Sequence, residues 1–386
     1  RRPARGAVVS ATLHYRTNFG PTVTVPFLDD GASGDAGSDD GIYGAIIPAD
    51  AHRAGQMVRW YITAVDTFGG NSRLPLFAEP VGSPEYLGTI VHDASLTNPL
   101  PVLHWFIQNP AAADTGGGTR CSMFYDGEFY DNLGINIHGQ SSQGFPKKSY
   151  DVDFHPGHNF KWKDGEPRAH DVNFLTTYPD KAHMRNILAW ETYRDADSAH
   201  HWVLPVRVQQ NGAFWGTAHL LENGDEDWLV RMGINEQGAL YKMYNQFNTT
   251  ATTNLAGGAE KKTRKNENTA DLGALYNGVN QTAEARRRFT YDNIVVAQTV
   301  DYLAARAMTG DTDCCHKNYY FYRDTGVSDE WVMWAWDVDL SFGRVWTSAR
   351  SYWEQILNPS TPLFIGAGNR FADAIFQTPE MRQMYL

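Results

Sequence analysis

The chain has 386 residues, 42% hydrophobic and 20% charged, which is ample apolar material for real cores and excludes a disordered tail. Lys and Arg number 33 against 44 Asp and Glu, and the net charge of -11 argues against wholesale binding of nucleic-acid phosphates or an anionic membrane surface. No run approaches the ~20 apolar residues of a membrane helix. At roughly 100–200 residues per domain, the length predicts two or three domains. The start, RRPARGAVV, lacks the layout of a signal peptide, and the end, MRQMYL, stops within a helical pattern. Both ends are expected of a segment from a larger multidomain chain.

Residues 7–73 read as the short strands VVSATLHYRT, TVTVPFLDD, GIYGAIIP and MVRWYITAVD, separated by turn clusters. That spacing predicts a small all-β sandwich over residues 1–75. Its loop Asp29–Gly41 holds Asp29, Asp30, Asp35, Asp39 and Asp40. Such a loop can ligate Ca²⁺ through hard oxygens, although it lacks the EF-hand register, and a solvated turn is the plainer reading. The stretch LPLFAEPVGSPEYLG carries Pro75, Pro80 and Pro84 without any period, which predicts a linker over 76–92.

From residue 93 to 386 strands mix with helices. LGINIHG and KKSYDVDF pair around GQSSQGFP, and VLPVRVQQ pairs with AFWGTAHLLE across Asn211-Gly212, a strong hairpin signal. Helical periodicity follows in HMRNILAWETYRDADS and TYDNIVVAQTVDYLAARAMTG, then the strands NYYFYRD and WVMWAWDVDL. Strand-rich material first and helices later is an α+β pattern of two layers or lobes. The aromatic residues, 13% of the chain, fall mostly at alternating strand positions and read as core.

Three groups of residues can carry chemistry. In the first hairpin Gly139 and Gly144 bracket Ser141 and Ser142, and Lys147 and Lys148 open the returning strand. Glycines admit phosphate close to the backbone and lysine neutralises it, but an ordinary hairpin with surface lysines has the same sequence. Next, Asp313 and Asn318 share the Asp-x-x-x-x-Asn spacing of kinase catalytic loops, and Asp337 follows at a strand end before Ser341-Phe342-Gly343. A strand, a turn and a return strand would bring Asn318 and Asp337 together as oxygen ligands for Mg²⁺ on nucleotide phosphates, leaving Asp313 to accept a hydroxyl proton. Asp311 competes for that last role. Glu222 at the end of AHLLEN is either the acid that holds a lysine or a strand-end surface charge.

Asp337 and Asp339, at i and i+2 of a strand, would share one face and repel unless a cation intervenes. Arg185 and Arg344 are the competing partners. Cys121, Cys314 and Cys315 close at most one bridge, and buried thiols or a bridge to Cys121 are favoured over a zinc site with His316. No nucleophile elbow, His-Glu-x-x-His, phosphate loop or dinucleotide fingerprint is present.

The segments GINIHGQSSQGFPKKSYDVDF, MRNILAW, VLPVRVQQNGAFWGTAHLLEN, HKNYYFYRD and WDVDLSFG, in that order over roughly residues 95–350, resemble the CotH (spore coat protein H) kinase family. The N-terminal stretch looks like the immunoglobulin or fibronectin-like modules that accompany such domains in exported bacterial proteins. The resemblance implies an atypical protein-kinase-like, two-lobed domain. It would use ATP with Mg²⁺ or Mn²⁺ to phosphorylate Ser or Thr of partner proteins, outside the cell or on its surface. By motif, Gly139, Ser141, Ser142 and Gly144 would cradle the nucleotide and Lys147 or Lys148 would contact phosphate. Asp313 would be the base, and Asn318 with Asp337 would hold metal, assisted by Asp339. Two departures stand out: Cys314 and Cys315 occupy a loop where bulkier or basic residues are common in the family, and the lysines follow the glycine loop unusually closely. Some members are surface or coat proteins with binding roles, so a non-catalytic adhesive scaffold is the alternative.

Overall fold

The computed structural model describes residues 6–255, 257–344 and 363–386. The backbone divides into two compact units. The first comprises the chain up to Asp164 with Arg168–Thr176 and Leu204–Leu221; the second comprises Gly165–Pro167, Thr177–Val203 and the chain from Glu222 onward.

The first unit opens with strands β1 (Val8–Thr17), β2 (Val23–Phe27), β3 (Met57–Asp66), β4 (Asn71–Leu74) and β5 (Leu87–Ile90). They form one sheet in the order β2-β1-β3-β4, with β5 also on β3, and every pairing is antiparallel. Among the described residues this module is a single sheet, which corrects the sandwich expected there. GIYGAIIP forms no strand and touches the sheet by the Leu28–Gly44 bridge. The reason is local competition for backbone amides: Asp29 accepts from the amides of Asp40 and Gly41, and Asp40 accepts from Ile42.

Seven strands then close a barrel: β6 (Val102–Ile107), β7 (Thr119–Tyr125), β8 (Glu128–His138), β9 (Ser149–Asp153), β10 (Asp171–Thr176), β11 (Val203–Gln210) and β12 (Ala213–Glu222), in the order β10-β12-β11-β6-β7-β8-β9. Asn211 and Gly212, both at positive φ, make the tight β11–β12 turn that their dipeptide announces. Trp105 fills the barrel interior, stacked on Phe174 at 4.5 Å and edge-on to Trp215 at 5.2 Å. Asp131 of β8, 2% exposed, accepts from the amides of Glu85 and Tyr86 and from the Ser122 hydroxyl. The proline-rich segment is thereby hydrogen-bonded to the barrel wall.

The second unit is built on the antiparallel sheet β14-β13-β15-β16, from β13 (Ala239–Met243), β14 (Ala259–Lys261), β15 (Tyr319–Arg323) and β16 (Trp331–Ala335). Helices α1 (Arg185–Asp195), α2 (Glu226–Arg231), α3 (Ala270–Val279), α4 (Ala283–Asn293), α5 (Val296–Thr309), α6 (Arg370–Phe376) and α7 (Pro379–Tyr385) surround it. The sequence predicts one helix through TYDNIVVAQTVDYLAARAMTG, yet it breaks at Ile294 and Val295. There the Val295 amide bonds the Trp331 carbonyl, and β-branched residues favour this extended bridge to β16. In α5 the buried residues Thr299, Tyr302, Leu303 and Arg306 recur at helical spacing, and Gly310 in the left-handed conformation caps the end. No helix among the described residues is long and apolar enough to cross a membrane.

Candidate active site

The second unit positions one loop and one strand end beside each other. Helix α5 stops at Gly310, the loop 311–318 follows, and β15 and β16 return the chain to Asp337. Tyr319 pairs with Ala335, and the Trp336 amide donates to the Asn318 carbonyl at 3.3 Å. Asn318 and Asp337 are therefore neighbours across the open end of one hairpin. Both hold left-handed backbone, φ 62° and 56°, a conformation that Asn and Asp tolerate better than bulkier residues and that recurs at functional sites.

The two aspartates of the loop have different surroundings. Asp311 is fully buried, and its carboxylate meets the equally buried Arg306 guanidinium at 2.9 Å. Burial pushes the Asp311 carboxyl up and Arg306 opposes it. The other Asp311 oxygen accepts the Asp313 amide at 3.1 Å, so Asp311 braces the loop from within. Asp313 receives the Asn318 side-chain amide on its carbonyl and on its carboxylate, and His316, whose side chain is half exposed, lies 3.5 Å from the other carboxylate oxygen. Asp313 is itself 3% exposed, and it differs from Asp311 in that its carboxylate meets Asn318 and His316 rather than a buried arginine.

Asp337 and Asp339 do not lie on a strand, since β16 ends at Ala335; the i, i+2 argument is corrected on that point. Asp337 is solvent-accessible and Asp339 half-buried. Protein crowded around Asp337 raises its carboxyl, Asp313 adds to the rise, and Lys242, Lys317 and Arg306 oppose it. Asp339 is raised well above the carboxylate range by burial and then by Asp337, Asp311 and Asp313. Arg185, one competitor for these carboxylates, pairs with Asp180. The donor types suit a hard divalent cation: Asn318 commits its nitrogen to Asp313 and keeps Oδ1 as an oxygen ligand, and Asp337 and Asp339 supply carboxylates. A divalent ion there would offset the mutual repulsion of these acids.

The glycine hairpin lies in the first unit. Gly139 has φ 89°, Ser141–Gly144 form a 3-10 turn, and Ser142 Oγ donates to the His138 carbonyl at 3.4 Å. Lys147 Nζ bonds the Thr217 carbonyl and sits 5.1 Å from the Trp215 ring centroid; Lys148 Nζ bonds the Gln143 carbonyl.

Glu222 is not a surface charge. It is 5% exposed, its carboxylate is gripped by the Arg231 fork at 2.6 and 2.9 Å, and it accepts the Trp202 amide at 3.0 Å. The cause is local: Asp225 caps α2 directly after β12, and the short helix brings Arg231 to the strand end.

The cysteines also depart from expectation. Cys314 is joined to Cys315, and Cys121 is a free, buried thiol, raised by that burial. In the acidic loop Asp29, Asp35 and Asp40 each offer an oxygen within 4.8 Å of the others. Asp35 already accepts from the amides of Gly31 and Gly37.

Sequence reasoning missed Arg306, Lys242 and Lys317. Arg306 lies on a helix face five positions before Asp311, a signal that could have flagged it. Lys242 sits 4.6 Å over the Trp336 ring, which only the β13–β15–β16 pairing reveals.

The loop after α5 and the acidic residues that follow β16 thus lie together on a mixed α/β unit. Residues 135–386 match the family described as CotH kinase protein, and the chain belongs to that family. No curated protein matches it.

Proposed function

We propose that this protein is an atypical, two-lobed protein kinase that transfers the γ-phosphoryl group of ATP to Ser or Thr of partner proteins, in an exported or cell-surface setting. The observation that carries the reading is the hairpin closure that sets Asn318 and Asp337 side by side, with Asp313 tied to Asn318. Asn318 Oδ1, Asp337 and Asp339 would hold Mg²⁺ or Mn²⁺, which supplies charge neutralisation at phosphate oxygens. Asp313 would orient the acceptor hydroxyl and take its proton as the oxygen attacks phosphorus and the bond to the ADP leaving oxygen breaks. Lys147 and Lys148 remain the proposed phosphate contacts from the glycine hairpin, with Gly139, Ser141, Ser142 and Gly144 as the nucleotide cradle. Glu222, engaged by Arg231, is assigned to supporting that part of the second unit.

Calorimetric titration with ATP plus Mg²⁺ or Mn²⁺, run beside Asp337→Asn, tests this. Metal-dependent binding that the variant loses is the expected result. No binding by either protein up to millimolar nucleotide overturns it in favour of a non-catalytic surface scaffold.

A further inference from the structure

The disulfide between Cys314 and Cys315 has no part in the chemistry above, yet it sits within the catalytic loop. The pair fills the first two of the four positions between Asp313 and Asn318. Asn318 Nδ2 must reach both the carbonyl and the carboxylate of Asp313, so the path of residues 314–317 decides whether the two site residues meet.

Both sulfurs are seated against other elements. The Tyr302 hydroxyl of α5 lies 3.4 Å from Cys314 Sγ and 3.7 Å from Cys315 Sγ. The Cys315 carbonyl accepts the side-chain amide of Asn369 at 3.1 Å, and Asn369 in turn caps α6 through the Phe371 amide. A Cβ placed on Gly366, whose φ is 98°, would lie 3.0 Å from Cys315 Sγ. The pair thus touches α5 and the start of α6 and lies in the loop that joins Asp313 to Asn318. Among the described residues neither cysteine belongs to a group of three metal-ligating side chains.

We propose that Cys314 and Cys315 are a reversible oxidation site on the catalytic loop, the joined form holding Asp313 and Asn318 together and the dithiol form releasing them. The effect on phosphotransfer rests on the kinase reading; the effect on the loop does not. The reductant is a dithiol. Its thiolate attacks one sulfur of the pair, forms a mixed disulfide and expels the other sulfur as a thiolate, which takes up a proton. The second thiol of the reagent then displaces the remaining protein sulfur and leaves as a cyclic disulfide. The protein gains two electrons and two protons, and the dithiol loses them. Cys314, 8% exposed against 2% for Cys315 and two residues from the half-exposed His316 side chain, is the less buried end of the pair.

The test poises the whole chain across ratios of reduced to oxidised dithiothreitol. Thiols are counted after denaturation, hydrogen exchange is followed over residues 311–318, and Mg²⁺–ATP binding is measured on the end states. Three thiols are expected when reduced and one when oxidised, with faster exchange in the reduced loop and binding weaker by about tenfold, as for loss of a partner that orients a ligand. Reoxidation should restore both. Cys314→Ser/Cys315→Ser should behave as the reduced protein and ignore the dithiol, and the wild-type titration stands alone if that variant does not fold. Three thiols at every ratio, or exchange over 311–318 that is the same in both forms, overturns the switch. Loop exchange that responds while neither form binds nucleotide keeps the switch and removes the kinase reading instead.

Discussion

Asn318 donates its side-chain amide to both the carbonyl and the carboxylate of Asp313, at 3.0 and 2.9 Å, while its own carbonyl receives the Trp336 amide. One residue therefore ties the loop after α5 to the strand end that carries Asp337. Its remaining side-chain oxygen is the atom left for a cation.

Asn318→Ala removes the tie and the oxygen together. Metal-dependent ATP affinity is expected to fall by about 10–100-fold, the range seen when groups that orient ligands are lost. Calorimetry measures it, and an unchanged circular dichroism spectrum shows that the fold survives. Affinity equal to wild type would remove Asn318 from the site.

Arg306 and Asp311 form an ion pair with no exposure at either side chain. Arg306→Met strands a buried carboxylate and should cost about 3–5 kcal/mol, whereas Arg306→Met combined with Asp311→Leu should recover most of that loss. Urea unfolding midpoints of the three proteins decide it. A double variant no better than the single would mean that Asp311 is needed for the Asp313 amide it accepts.

His201 is stacked on Trp228 at 4.5 Å, is 1% exposed, and its Nδ1 lies 3.7 Å from Glu222 Oε1, beyond hydrogen-bond reach. Burial lowers its pKa from 6.5 to about 4. The unfolded chain binds this proton more readily, so the contribution is intact above pH 6.5 and is lost as pH falls toward 4. It amounts to about 3 kcal/mol. Urea unfolding between pH 4 and 7.5 should show a steeper acid loss for wild type than for His201→Phe; parallel curves would place the acid sensitivity elsewhere.

The Asp35 carboxylate, 7% exposed, accepts from the amides of Gly31 and Gly37 and can hold the acidic loop without an ion. Asp35→Ala should lower stability by about 1–3 kcal/mol through those unpaired amides. EDTA should leave the wild-type melting temperature unchanged, and a fall on chelation would instead establish Ca²⁺ as a ligand of Asp29, Asp35 and Asp40.

The sequence by itself determined what is local. Asn211-Gly212 specified its hairpin because few dipeptides accept two positive φ angles. The apolar and aromatic runs NYYFYRD and WVMWAWDVDL specified β15 and β16, and the spacing of Thr299, Tyr302, Leu303 and Arg306 specified α5, because side-chain pattern follows backbone geometry and burial. The five-residue spacing of Asp313 and Asn318, with a strand pair before Asp337, placed those residues on one loop and one hairpin end for the same reason. Only the tertiary structure decided the rest. Whether Asp311 or Asp313 faces the acidic group depends on where Arg306 of α5 is buried, and the partner of Glu222 depends on the short helix that follows it. Lys242 reaches Trp336 across strands far apart in sequence, and GIYGAIIP lost its place in the sheet to aspartates that took the loop amides. Lys242 and Trp336 are far apart along the chain and the other pairs are near neighbours, yet each outcome is a competition between partners settled by burial and geometry that no spacing of residues records.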